Sequence, residues 1–305
     1  MQPFSTGAIL LISLVLSGCR PPPATPTQDI RIVSLAPSLT ESLCAIGAAD
    51  LIVGRTSVCD FPPEAIERIP VIGGFGTPSL ELLARAEPTL VLDTALADET
   101  VATQITRMGI RHHRIRCKGL DDIVPMLREL GTLTGHQAEA DALASSLADA
   151  IDQARANLRL SDFAEATTDK PTADRRSPVS VYAEVWHDPM TTIGSHTFLA
   201  DLIRLAGGRP IADSVKKDYF QIGPEQVIAE NPDIILCLYM GPSDGAAEMI
   251  RRRSGWEHIN AVKSGHIFDQ LHYDVLLRPG PRLLEGLAAL RDCVRQAQQG
   301  AEHDL

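Results

Sequence analysis

The sequence predicts an α/β protein of two lobes, each on a mainly parallel sheet, bridged by one long α-helix. Three observations carry this expectation. Strand-like β-branched runs alternate with helix-period segments over most of residues 30–295, the pattern of βαβ units. The stretch ELLARAEPTLVLD at 81–93 returns as EQVIAENPDIILC at 225–237, 144 residues later. Each copy opens on a glutamate (Glu81 or Glu225), stops at a proline (Pro88 or Pro232) and runs into a strand. Between the copies, AEADALASSLADAIDQARANL at 138–158 has the Ala-rich, charge-laced composition of a single long helix.

The elements follow in order. In an N-terminal lobe at 30–133, RIVSL (31–35) reads as a strand, and Ser38 to Glu41 as a capping box opening a helix that ends at Gly47. LIVGR is the next strand, PPEAIERI (62–69) a short helix with proline at its start, and PTLVLD a strand. ALADETVATQITRMG (95–109) is helical and IRHHRI (110–115) a strand. The connecting helix is expected at 134–160. Residues 161–178 lose all periodicity and read as a mobile loop. In a C-terminal lobe at 179–305, VSVYAEV is a strand and Ser195 is placed to cap the helix HTFLADLIRLAGG. Pro224 sits in the first turn of the second copy, and DIILCL follows as a strand. A helix at 243–252, a strand at 266–270 and a closing helix from Arg282 to Gln298 complete two Rossmann-like lobes. One rigid connecting helix, in place of paired β crossovers, implies small relative motion of the lobes.

Composition narrows the partners. The chain has 305 residues, 44% of them hydrophobic, and a net charge of −11, which fits a soluble globular protein. That charge argues against nucleic acid or an anionic membrane surface as the main partner. The apolar run AILLISLVLSG (8–18) is too short to span a membrane comfortably and belongs to a signal peptide at 1–18. Leu16-Ser17-Gly18-Cys19 looks like a bacterial lipobox, which implies cleavage before Cys19 and acylation of its thiol. The alternative is an ordinary signal peptide containing a cysteine. No Lys or Arg precedes the apolar run, and Arg20 follows the cysteine. Residues 19–29, rich in Pro and Thr, read as an extended tether. The mature chain keeps Cys44, Cys59, Cys117, Cys237 and Cys293, an odd number, so at least one thiol stays free or pairs with another molecule. No CxxC or other zinc spacing is present, and no metal site is expected.

The duplicated glutamate has two readings. An acidic residue near a helix N-terminus is favoured by the macrodipole alone. Two lobes presenting like charges at equivalent positions also suit a twofold-symmetric partner. An enzyme is disfavoured. Ser214-Val215-Lys216-Lys217 is a literal S-x-x-K, with Ser243-Asp244 and Lys263-Ser264-Gly265 behind it. All three fall within 52 residues and are interrupted by the repeated helix–strand unit, so a penicillin-recognising site cannot be assembled from them. His112 and His113, adjacent on a strand, face opposite sides and do not act as a pair.

The set RIVSLAPSLTESLCAIGAADLIVGRT (31–56), CDFPPEA (59–65), PSLELLARAEPTLVL (78–92), GPEQVIAENPDIIL (223–236) and LLRPGPRLLEGL (276–287) resembles one family. It is that of helical-backbone ABC-transporter solute-binding proteins, whose members carry cobalamin, ferric siderophores or haem, and the cobalamin branch fits best. The resemblance implies a lipid-anchored, monomeric, extracytoplasmic protein with no cofactor of its own. It implies capture of a corrinoid in the inter-lobe cleft and delivery to a dimeric ABC permease, with a ferric siderophore or haem as the alternative ligand. In relatives a glutamate at each lobe tip pairs with permease arginines, and those positions fall on Glu81 and Glu225. Ligand contacts fall on Val58, where relatives use an aromatic, and on Phe75, Tyr219, Asp274 and Arg278. Cys59 shares the Val58 loop, and Trp186 and His187 in VWHDP (185–189) are placed near the cleft. Bland readings stand beside these: Phe75 as core, Trp186 as a lobe-packing anchor, Asp274 and Arg278 as an internal salt bridge. For haem, His187, His196 or His272 is the candidate axial ligand.

Overall fold

The computed structural model describes residues 30–96, 98–167, 178–239 and 245–303. The lipobox Cys19, the tether at 19–29 and the Ser243–Asp244 pair lie outside the described residues.

The first lobe runs β1 (Ile32–Ser34), α1 (Pro37–Ala45), β2 (Ile52–Arg55), α2 (Pro63–Ile66) and a two-stranded hairpin of β3 (Gly73–Gly74) and β4 (Thr77–Pro78). Then come α3 (Leu80–Ala86), β5 (Leu90–Asp93), α4 (Glu99–Arg107) and β6 (Arg111–Arg114). Its sheet has the order β2-β1-β5-β6 and is parallel throughout. Helices α5 (Ile123–Thr134) and α6 (Gln137–Thr167) lead to the second lobe. Gly135 separates them in a left-handed conformation at φ 79°. Gly131 lets them touch, because a Cβ there would sit 2.4 Å from that of Ala140.

The second lobe contains β7 (Val179–His187), β8 (Met190–Ile193), α7 (Phe198–Leu205), β9 (Gly208–Pro210), β10 (Tyr219–Gln221), α8 (Pro224–Glu230) and β11 (Ile234–Cys237). It closes with α9 (Ala246–Arg251), α10 (Asn260–Ser264), β12 (Ile267–Phe268), α11 (Tyr273–Leu277) and α12 (Leu283–His303). Its sheet is mixed: β9, β7, β11 and β12 run parallel, β8 runs antiparallel to β7, and β10 pairs antiparallel with β8 and so returns to the β7 direction. The mixing follows from the tight Asp188–Pro189 turn, since a two-residue connection joins only antiparallel strands.

The sequence repeat is a structural repeat. Ile32 pairs with Leu90 in the first lobe as Val181 pairs with Ile234 in the second. Helices α3 and α8 both span seven residues and both end on a left-handed non-glycine residue, Glu87 at φ 45° and Asn231 at φ 43°. A proline follows each, so the chain is turned into the next strand twice by the same device.

Alternation along the strands sorts the core. Ile32, Leu90, Leu92, Val181, Ala183, Ile234 and Leu236 point into one apolar cluster that also holds α1, α5, α6, α7 and α12 side chains. Val33 and Val91 face a separate layer under α3 and α4, and Tyr182, Ile235 and Cys237 face another under α8 and α9. The shared middle cluster therefore joins the lobes through packed apolar side chains, with α6 contributing Ala140, Ala144, Leu147, Ile151 and Ala154.

Three local expectations change. Helix α1 starts at Pro37 with no side-chain cap, and Ser38 is buried, accepting on its carbonyl a hydrogen bond from Ser42 at 2.7 Å. Thr197, not Ser195, caps α7 by accepting from the Ala200 N–H at 3.2 Å; the Ser195 hydroxyl donates to the Val215 carbonyl. Residues 161–167, expected to begin a loop, continue α6, whose helical hydrogen bonding carries on where the apolar stripe fades.

Candidate functional site

In a parallel α/β sheet, solutes bind beyond the carboxyl ends of the strands, where loops rather than ladder hydrogen bonds decide the surface. The chain places most of its candidate residues there. The loop after β2 carries Val58, Cys59, Asp60 and Phe61. The Ser57 N–H donates to the Gly73 carbonyl at 2.9 Å, tying that loop to the β3–β4 hairpin whose turn bears Phe75. Trp186 is the penultimate residue of β7, and Asp274 and Arg278 stand in and just after α11; Tyr219 instead opens β10, opposite Ile193 of β8, at the amino end of its strand.

Exposure separates these side chains sharply. Phe75 (52%), Trp186 (41%) and Tyr219 (50%) are the aromatic members of the exposed large hydrophobic set among the described residues, and Val58 is 39% exposed. Most aromatic side chains of a soluble protein are at least partly buried, which makes these three the candidates for contact with a solute. Cys59 departs from its expected place. Its thiol is 1% exposed and turned inward, 3.1 Å from both the Thr40 and Thr56 hydroxyls. It packs the loop and does not face solvent.

At the second lobe's strand ends an aromatic run forms. Trp186 lies 5.6 Å from His187, and His187 lies 5.4 Å from Tyr239, which follows β11. The Trp186 indole donates to the Asp188 carbonyl at 2.8 Å. Tyr239 is fixed from below. Its hydroxyl donates to the fully buried Glu184, which also accepts from Tyr182 at 2.8 Å and from both Arg253 terminal nitrogens at 2.6 and 2.7 Å. Burial, and then the Glu184 charge, push both tyrosine hydroxyls well above their ordinary pKa, so they remain donors. Arg253 in turn lies 4.6 Å over the Trp256 ring.

Across the lobes, ion pairs and hydrogen bonds to backbone groups form a polar seam. Arg278 pairs through both terminal nitrogens with the Asp60 carboxylate and also donates to the Val58 carbonyl at 3.3 Å. Arg282 binds Glu41 at 3.0 and 2.7 Å and Asp274 at 2.8 Å, and stacks 3.8 Å over Phe61. Lys118 reaches Asp218 at 2.5 Å, and the Asp201 carboxylate accepts from the Leu120 N–H at 3.0 Å. The Arg278 guanidinium holds the Asp60 carboxyl below its usual range. Burial opposes the Arg282 charge, yet its carboxylate bonds outweigh that and hold it protonated.

Glu41, Phe61, Arg282, Glu184, Arg253 and Tyr239 escape the sequence reading. Glu41 was read as a capping-box residue, although its side chain is 5% exposed and serves Arg282. Asp274, Arg278 and Arg282 are four residues apart, but α11 ends at Leu277 and Pro279-Gly280 follow, so the helical i,i+4 rule gives no signal for this set. The two histidines of β6 do face opposite sides. His112 engages the buried Asp93, which also holds Arg114 at 2.7 Å, whereas His113 meets Glu129 at 2.6 Å. His196 and His272 are exposed. Among the described residues no three His, Cys, Asp or Glu side chains gather to hold a metal ion.

Glu81 and Glu225 occupy the same second position of α3 and α8, are exposed, and make no ion pair among the described residues.

Residues 32–270 match the family described as "Periplasmic binding protein", and the chain belongs to it. It is 26% identical over 319 residues to the uncharacterized ABC transporter substrate-binding lipoprotein YvrC of Bacillus subtilis (strain 168), covering 94% of this chain and 95% of that one. To the vitamin B12-binding protein of Pectobacterium atrosepticum it is 26% identical over 270 residues, 88% of each chain. The periplasmic heme-binding protein RhuT from Roseiflexus sp. RS-1 superposes with a TM-score of 0.72 at 26% identity, over 89% of this chain and 99% of that one. The family is one of binding proteins, not enzymes, and the chain is a solute-binding protein of this class.

Proposed function

We propose that this protein captures a corrinoid between its lobes and delivers it to an ABC importer. The observation that carries the reading is the set of three open aromatics: Phe75 in the β3–β4 turn of the first lobe, and Trp186 near the end of β7 and Tyr219 at the start of β10 in the second. A corrinoid is a broad, nearly flat ring rimmed with amides. It needs aromatic or aliphatic faces for the ring and scattered polar groups for the rim. Val58 adds an aliphatic face, and Arg278 and Asp274 add polar groups beside it. Resemblance to cobalamin carriers supports the same choice. Delivery uses Glu81 and Glu225 as one carboxylate per lobe for a dimeric permease, and Cys19 as a lipid anchor on the outer side of a membrane. The protein acts as a monomer.

The test is a calorimetric titration of the protein starting at residue 20 with cyanocobalamin. One-to-one binding with quenching of Trp fluorescence supports the reading, and Phe75→Ala, Trp186→Ala and Tyr219→Ala should each weaken it several-fold. No heat and no quenching would move the ligand to haem or a ferric siderophore. Haem is the second reading on one observation: His187 is exposed and lies between Trp186 and Tyr239, its ring tilted to both, so its imidazole would be the axial ligand offered to a haem iron. A Soret shift on haemin addition that His187→Ala abolishes would favour it.

A further inference from the structure

The cations of the seam are already taken. Arg278 is sunk, its side chain only 12% exposed, while Asp60 stands outside it at 51%. Both terminal nitrogens of Arg278 are engaged by the two Asp60 oxygens, and one also serves the Val58 carbonyl. Arg282 is held between Glu41 and Asp274, and Lys118 by Asp218. The seam thus sets Asp60, Glu41, Asp274 and Asp218 against Arg278, Arg282 and Lys118, a surplus of one negative charge. Lys216, on the turn before β10, is exposed, and Lys217 beside it lies 5.9 Å from the Phe220 ring; exposed amines of this kind are screened by water and salt.

From this arrangement we infer that Asp60 is the residue that sets the charge of the accepted solute. It holds Arg278 against carboxylate-bearing ligands and leaves the cleft to ligands rimmed with uncharged amides. The inference rests on the cleft being the solute site. A carboxylate arriving at this wall must displace Asp60 from a bidentate pair, where geometry and charge both favour the resident partner. It then meets the expelled Asp60 as a like charge, which discriminates by repulsion as well as by lost attraction. An amide rim asks neither. Its N–H groups find acceptors on the outer lone pairs of Asp60, and its carbonyls approach without net repulsion. Removing the Asp60 charge while keeping its shape, as in Asp60→Asn, frees the guanidinium to take an incoming carboxylate.

The experiment compares one ring with and without its carboxylates. Haemin and its diamide, in which both propionates are capped, are titrated against the wild-type chain, Asp60→Asn and Asp60→Ser, with cyanocobalamin as a separate arm. The expected result is that the preference for haemin over its diamide rises at least tenfold in both variants, and that Asp60→Asn/Arg278→Gln loses the gain. An unchanged preference, or no binding of either porphyrin to the variants, would overturn the role of Asp60. Failure of cyanocobalamin to bind the wild type, with the porphyrin preference still shifting, would instead sink the corrinoid reading and leave the charge selection intact.

Discussion

At Arg282 one guanidinium holds Glu41 from α1, Asp274 from α11 and the ring of Phe61 together. Glu41 is 5% exposed, so truncating Arg282 leaves a carboxylate buried without its partner. Arg282→Met should cost about 3–5 kcal/mol in urea unfolding, the usual penalty for breaking a buried pair from one side. Arg282→Lys should recover little, because an ammonium cannot reproduce the fork or the stacking. The double change Arg282→Met with Glu41→Leu should recover most of the loss, whereas a purely steric role for Arg282 predicts no recovery. The thiols give a second residue-scale test. Burial pushes Cys44 up to about 11, and Cys117, Cys237 and Cys293 up to about 12, from 9.0. Since the folded values lie above the unfolded one, this stabilisation is full below pH 9.0 and is lost as pH rises through 11 to 12. Stability should therefore hold through neutral pH and fall from about pH 9 upward. A thiol reagent at pH 8 should find the chain from residue 20 nearly inert until denaturant releases five groups. All five are unpaired, so the odd count poses no pairing problem.

Among the elements, the repeated helix–proline–strand unit was legible because its causes are local. A glutamate in the first turn, a proline stop and a β-branched run each leave a mark in sequence. The left-handed exit at Glu87 leaves none, since glutamate is an unexpected occupant of that conformation, whereas Asn231 before a proline is a usual one. The Glu87 exit is braced by Arg31, which donates to the Glu87 and Ala86 carbonyls at 2.9 and 2.7 Å. Asn231 suits the conformation better, and its side chain accepts from the Asn260 N–H at 2.8 Å. The two sites should therefore respond oppositely to glycine. Glu87→Gly should stabilise by roughly 0.5 kcal/mol, relief of left-handed strain outweighing backbone entropy. Asn231→Gly should destabilise by about 1 kcal/mol through the lost hydrogen bond. Equal shifts in thermal unfolding at the two sites would refute this account. The strands β8, β9 and β10 were not legible. Each is short, and their pairing with or alongside β7 is decided by tertiary context more than by alternation.

For the molecule as a whole, the two-lobed plan was readable because the repeat and the long helix are patterns of many residues, while the seam was not. Pairs such as Arg278–Asp60 and Arg282–Glu41 join residues 218 and 241 positions apart, and no local signal links them. The exposed aromatics were readable only as residue types; their openness is a property of the folded chain. The seam and the shared apolar cluster join the two lobes, so on the proposed docking role a permease would meet two carboxylates carried on one packed frame. That arrangement sets the docking prediction. An exposed ion pair contributes about 0.2–1 kcal/mol, at most about fivefold in affinity, so Glu81→Ala or Glu225→Ala alone should lower transport only a few-fold. With both carboxylates on one packed frame the second contact forms without further association entropy, and its loss multiplies the first. The double variant should then lose up to about twenty-five-fold in transport into vesicles carrying the permease, with solute affinity in calorimetry equal to wild type. High salt should shrink the difference, because exposed pairs are screened. A double variant that transports as well as the weaker single one, with the other single one matching wild type, would mean that only one lobe docks through its glutamate. Equal loss of solute binding would place these carboxylates in the cleft rather than at the permease.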